Sequence, residues 1–166
     1  MTRDQRIILC DTNVWLDAFL PSRPRNATVR QLLSVAVEQG HTLAYATHTL
    51  ADVFYEVYRE AKEWIRAGKG ELTETWARAA RSQAWSCVKD MHEVAVAVGT
   101  DESDVWKALR YRAFNEDLED NLILVTAERA HADYLVTSDA KLRAKSTVAA
   151  LSPQDMLALL TLDQDS

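Results

Sequence analysis

Glycine is scarce in this chain, at four residues, and that leaves no glycine-rich loop of the kind that cradles nucleotide phosphates. Cysteine is scarcer still. Cys10 and Cys87 stand alone in apolar surroundings without metal-ligand spacing, and the first expectation is two reduced core thiols rather than a disulfide. The four histidines, His41, His48, His92 and His131, are nowhere paired at zinc spacing. No run approaches the roughly 18 apolar residues of a membrane span. The opening residues carry too short an apolar stretch before Asp11 for a secretory signal, so a cytoplasmic protein with no membrane association is expected. Positive charge is in deficit too: 19 Lys and Arg against 25 Asp and Glu give a formal net charge of −6, which argues against a protein that merely coats nucleic acid. A site built to hold divalent cations must collect carboxylates, so the same balance leaves a metal-dependent nuclease open.

What the chain has in abundance is alternation of strand and helix patterns. Residues 6–10 form a short apolar run that stops at Asp11, as a buried parallel strand does. Helical spacing of Val29, Leu32, Leu33, Ala36 and Val37 marks residues 26–39, ending at Gly40, and residues 41–47 read as a second strand. Leu50, Val53, Phe54, Val57, Ala61, Trp64 and Ile65 then trace one face of a long helix. A second long helix spans about residues 74–90 with Trp76, Ala80, Cys87, Val88 and Met91 inward. Residues 94–98 predict a third strand, 101–112 a helix capped by Asp101, 117–131 a helix apolar on most sides, 134–137 a fourth strand and 146–149 a fifth. Ser152 and Pro153 open a last helix as cap and first helical residue. With no repeat and no linker, the expectation is one α/β domain over residues 1–162, a parallel sheet of four to five strands flanked by helices on both faces, and a frayed tail at 163–166.

Ligands of open α/β sheets collect beyond the carboxyl ends of the strands. Asp11 follows the first strand, Asp52 the second at the start of its helix, and Asp139 the fourth after Thr137 and Ser138. Asp120 lies in the first turn of the buried helix that leads into the fourth strand. Any one of these is an ordinary cap or turn residue; four at one sheet edge point to a site for Mg²⁺ or Mn²⁺, because these ions prefer hard oxygen donors. Glu56, one helical turn past Asp52, either shares its ion or is solvated. Thr12 and Asn13 either orient Asp11 and contact phosphate or form a turn, and the same alternatives hold for Thr137 and Ser138. Asp117 and Glu119 flank Asp120 as an acidic capping cluster.

Three segments carry a family resemblance. Ile7-Ile-Leu-Cys-Asp-Thr-Asn-Val-Trp-Leu-Asp17 resembles the opening of a PIN domain, Asp117-Leu-Glu-Asp-Asn-Leu122 its internal acidic motif, and Ala127-Glu-Arg-Ala-His-Ala-Asp-Tyr-Leu-Val-Thr-Ser-Asp139 its closing helix and strand. Between about Gln31 and Val98 the likeness is one of layout alone. The resemblance implies a single PIN-like domain and a Mg²⁺-dependent (or Mn²⁺-dependent) endoribonuclease acting on RNA. It implies further the VapC-type toxin of a toxin–antitoxin pair, with a cognate antitoxin as partner and a homodimer as the expected assembly. It carries Asp11, Asp120 and Asp139 over as metal-site carboxylates. The family's second acid, commonly Glu, falls on Asp52, one methylene shorter, with Glu56 as the substitute. That departure leaves open a non-catalytic PIN-fold module that binds RNA or a protein partner.

Arg59, Lys62, Arg66 and Lys69 fall along the polar side of the first long helix, with Arg78 and Arg81 on the next. They either guide RNA toward the acidic edge or form a solvated face. Trp64, Trp76 and Trp85 on the same helices are core residues or an apolar groove for an antitoxin helix or a second copy. Two other folds gather aspartates at strand ends. A phosphoacceptor receiver wants a lysine after a late strand, and a haloacid-dehalogenase-type phosphatase wants a second Asp where Asn13 stands.

Overall fold

The structure, a computed structural model, describes residues 5–162. The expected tail at 163–166 lies outside the described residues. Five strands, β1 (Ile7–Cys10), β2 (Thr42–Ala46), β3 (Ala95–Val98), β4 (Tyr134–Val136) and β5 (Ala150–Leu151), form one sheet in the order β3-β2-β1-β4-β5. Every pairing is parallel. Parallel strands need crossover connections; of the helices α1 (Thr12–Phe19) to α8 (Pro153–Leu162), all but α8, which follows β5, lie in them. Between these two lie α2 (Asn26–Glu38), α3 (Thr47–Lys69), α4 (Glu74–Val94), α5 (Glu102–Tyr111), α6 (Leu118–Arg129) and α7 (Ala140–Lys145).

The central strands are buried on both faces, which is why β1 reads as an unbroken apolar run, whereas Val96 of the edge strand β3 is exposed. Ile8, Cys10, Tyr45 and Val136 point into a core shared with α1, α2, α3, α4 and α8. Leu9, Ala44, Ala46 and Leu135 point the other way, onto Ile123, Leu124 and Ala127 of α6 and Leu142 of α7. Helix α6 is buried over most of its circumference, as its lack of a polar face requires.

Four expectations are corrected. The fifth strand lies at Ala150–Leu151 rather than 146–149, because the Ser146 hydroxyl closes a turn on Val148 and the chain meets β4 only from Ala149 onward. Helix α3 begins at Thr47, straight out of β2, so Asp52 sits in the second helical turn and not the first. Helix α4 runs on to Val94. Trp64 and Trp76 are 76% and 40% exposed and do not face the core. The physical reason is the reach of the α3–α4 hairpin, whose far end extends beyond the sheet around Gly70, a left-handed residue at φ 77°. Among the described residues, no helix is long and apolar enough to cross a membrane.

Candidate active site

β1 is the central strand, so the residue after it emerges in the middle of the sheet's carboxyl edge. That residue is Asp11. It caps α1, taking the Thr12 N–H on Oδ1 at 2.7 Å. Its other oxygen accepts the Asn13 amide at 3.0 Å and the Thr137 hydroxyl at 2.7 Å. Both acceptor sites of Oδ2 are thereby filled, and Oδ1 keeps one lone pair for a ligand. Thr137 also accepts the Asp139 N–H at 3.1 Å, and the Asn13 side-chain oxygen accepts the Ser138 N–H at 3.2 Å. The ends of β1 and β4 are thus laced together by the supporting residues that the sequence singles out. The Ser138 hydroxyl itself is buried without a hydrogen-bond partner.

Asp139 caps α7 through the N–H groups of Lys141 and Leu142. Asp120 is the third residue of α6; its N–H is taken by the cap residue Asp117, and its Oδ2 accepts the Asn115 amide at 3.3 Å. Asp52 comes from α3. Asp11, Asp52, Asp120 and Asp139 line one cavity of about 470 Å³, with Thr12, Asn13, Glu56 and Asp117. Four separate elements deliver the four predicted carboxylates to a single place.

The structure adds Glu119, which the sequence pattern offers only as part of a capping cluster. It lines the same cavity and accepts the Thr12 hydroxyl at 3.3 Å, while that hydroxyl also meets buried Thr49 at 3.2 Å. The Glu-Asp pair at positions 119 and 120 was the available signal, since the first turn of a helix can aim adjacent side chains into one opening. Glu56 lines the cavity too, but its carboxylate is held by Arg59 at 2.6 Å, which draws its pKa below the usual range. Asp52 has no hydrogen bond to its side chain among the described residues, so of the two candidates it is the one free to take a ligand.

The acids of the cavity are only partly compensated, by Lys145 acting on Asp120. Burial pushes the Asp11 carboxyl up, against the hydrogen bonds from Thr137 and Thr12, and the charges of Asp120 and Asp139 push it further. Asp120 is raised by burial, with Asp117 and Asp139 adding to the effect against the Asn115 hydrogen bond. Glu119 is raised by burial and then by Asp52 and Asp11. A cation reverses each of these penalties, and an all-oxygen donor set suits a hard ion such as Mg²⁺. Among the described residues, no three His, Cys, Asp or Glu side chains stand close enough together to hold an ion as they are placed.

The basic residues of α3 are placed elsewhere. Arg59 is spent on Glu56 and Glu63, Lys62 rests over the Tyr58 ring and Lys69 over the Trp76 ring, and none of these, nor Arg66, lines the acidic cavity.

The family model described as PIN domain matches residues 7–141. The chain belongs to the PIN-domain family. Solved structures similar to this PIN domain include the sarcin–ricin-loop-cleaving toxin VapC20 of Mycobacterium tuberculosis, 12% identical with a TM-score of 0.63, covering 86% of this chain and 97% of that one. Others are VapBC2 of Rickettsia felis bound to a promoter DNA fragment (16% identity, TM-score 0.60, 88% and 98% covered) and a toxin–antitoxin complex from Klebsiella pneumoniae (19%, 0.56, 88% and 97%). At these identities the likeness is one of fold. No curated protein matches the chain.

Proposed function

We propose that this PIN domain is a cytoplasmic, divalent-metal-dependent endoribonuclease and the toxin half of a toxin–antitoxin pair. The observation that carries the proposal is the acidic cavity: carboxylates from β1, α3, α6 and the β4–α7 junction share one opening, and three of its acids are raised by burial and mutual repulsion. Similar folds named as an RNA-loop-cleaving toxin and as toxin–antitoxin complexes support the choice of substrate and partner.

Asp11, Asp52, Asp120 and Asp139 would hold Mg²⁺ or Mn²⁺, with Glu119 beside them. The chemistry supplied by a divalent ion held there would be positive charge for the scissile phosphate and a more acidic water. The chain's own residues do the positioning. Thr137 and Asn13 fill Asp11 Oδ2, which leaves Oδ1 with acceptor capacity for a ligand, and Asn115 fixes Asp120. Asp52, whose side chain has no hydrogen bond among the described residues, would take a proton from the attacking water or complete the shell. For the partner, an apolar cavity of about 490 Å³ between α3 and α4, bounded by Leu20, Val57, Trp64 and Trp76, suits the apolar face of an antitoxin segment.

The test is cleavage of total cellular RNA by purified protein in Mg²⁺, Mn²⁺ or EDTA, beside Asp11→Asn. Cleavage that needs metal and falls at least about 100-fold in the variant is the expected outcome. Undiminished cleavage by Asp11→Asn, or in EDTA, overturns the mechanism.

A further inference from the structure

A second cavity of about 470 Å³ opens beside the acidic one and shares Asp117, Asp120 and Asp139 with it. Its far wall is cationic. Arg112 and Lys141 bring exposed charges there, as does Lys145, whose ammonium donates to Asn115 Oδ1 at 3.0 Å. In a chain of net charge −6, most other cations near carboxylates are already neutralised: Arg59, Arg78, Lys107 and Arg129 all sit in ion pairs. No ion pair among the described residues engages Arg112, Lys141 or Lys145. Glu116 is the only acid of this cavity that the first does not share.

Two further features give the cavity direction. Asn115, only 5% exposed, joins the two openings: its side-chain oxygen takes Lys145, its amide holds Asp120, and its carbonyl accepts the Asn121 amide at 2.8 Å. Phe114 stands at the rim, 45% exposed, its ring steadied against Tyr111 with centroids 4.8 Å apart. Free cations next to a carboxylate site call for an anion that spans both, and an open aromatic face beside an anion site calls for a flat ring. A phosphodiester followed by a base has both. A duplex keeps its bases stacked and cannot present one to Phe114; a single strand can.

We infer that this cavity is a substrate subsite for single-stranded RNA, in which Arg112, Lys141 and Lys145 hold the phosphate next to the scissile one and Phe114 stacks on the intervening base. The inference rests on the nuclease reading of the acidic cavity. It assigns positioning roles to four residues that neither the sequence motifs nor the family match singles out.

The experiment measures binding of a short fluorescent single-stranded RNA of mixed sequence in Ca²⁺, over a series of salt concentrations. Arg112→Gln/Lys141→Gln removes two of the three charges on that phosphate and should flatten the slope of log affinity against log salt by up to about 0.7, the value for one lost phosphate contact. Phe114→Ala should weaken binding by about 5- to 150-fold with the slope unchanged, and Phe114→Leu, which keeps the packing on Tyr111, should weaken it similarly. Double-stranded RNA should bind alike to all variants. An unchanged slope in the double variant overturns the phosphate role, and full affinity in Phe114→Leu overturns the stacking role. If the wild-type chain cuts RNA while the variants bind normally, the subsite falls and the nuclease stands. If the variants lose binding but no RNA is ever cut, the nuclease falls and the strand-binding cavity stands.

Discussion

At the scale of single residues, the site is a set of acids held in place by donors, and not all of them are held alike. Asp11 accepts three hydrogen bonds, so neutralising it trades relief of charge for an amide facing other donors. Glu119 accepts only one, from Thr12. Its raised pKa has a definite consequence for stability. A carboxyl that titrates higher in the folded chain than in the unfolded one favours folding while protonated, below the ordinary value of about 4.3, and loses that contribution as pH rises through the higher folded value. At neutral pH without metal, ionised Glu119 therefore opposes folding. Glu119→Gln should raise the melting temperature in EDTA at pH 7, with the gain shrinking toward pH 4, by scanning fluorimetry; a lower melting temperature at pH 7 counts against the repulsion. Asp11, Asp120 and Asp139 were legible in the sequence because each follows a strand end or opens a helix. Glu119 was not, because sequence cannot tell a capping acid from one aimed into an opening. Thr49 was invisible for a related reason: a lone threonine on a helix carries no pattern until α1 packs against α3.

At the scale of elements, apolar periodicity identified β1 to β4 and the helices between them, since strands buried on both faces and helices with a single apolar stripe leave distinct signatures. Boundaries went astray where no breaker marks them. Ala46 passes into α3 with no side-chain cap, so nothing local announces that the helix starts at Thr47. The two-residue β5 is too short to show a period, and pairing with β4 alone defines it. The α3–α4 hairpin misled in another way, because its apolar stripe continues past the core and ends in exposed tryptophans. Its turn depends on Gly70, whose φ of 77° no ordinary side chain adopts cheaply, although a Cβ there would meet nothing. Gly70→Ala should cost about 1–2 kcal/mol through backbone strain alone. Urea unfolding should show that loss as a lower midpoint with an unchanged slope, while the proposed cleavage of RNA, in a cavity that Gly70 does not line, persists. An unaltered midpoint would mean that the turn relaxes to another conformation.

At the scale of the whole molecule, fold class and strand direction followed from the alternation of elements, but strand order did not, because that depends on which faces meet in three dimensions. The same two-sided burial governs the thiols. Cys10, on the central strand, is pushed up to about 12 by burial and by neighbouring Asp11, and Cys87 is raised by burial with Asp90 adding to it. Neither should react with a thiolate-directed reagent at pH 8 while the chain is folded, and labelling should follow global unfolding in urea. Rapid labelling of either in native buffer would show that its side of the sheet opens locally.

The lacing of Thr137 to Asp11 joins residues 126 positions apart. On a ribosome, which adds about 5–20 residues per second, Asp11 is made about 6–25 s before its partner. Throughout that interval the nascent chain has the aspartate but not the strand that aims it. For a chain with the proposed activity, the order of synthesis is itself a safety delay: no RNA is threatened until the strand that aims the aspartate has followed it.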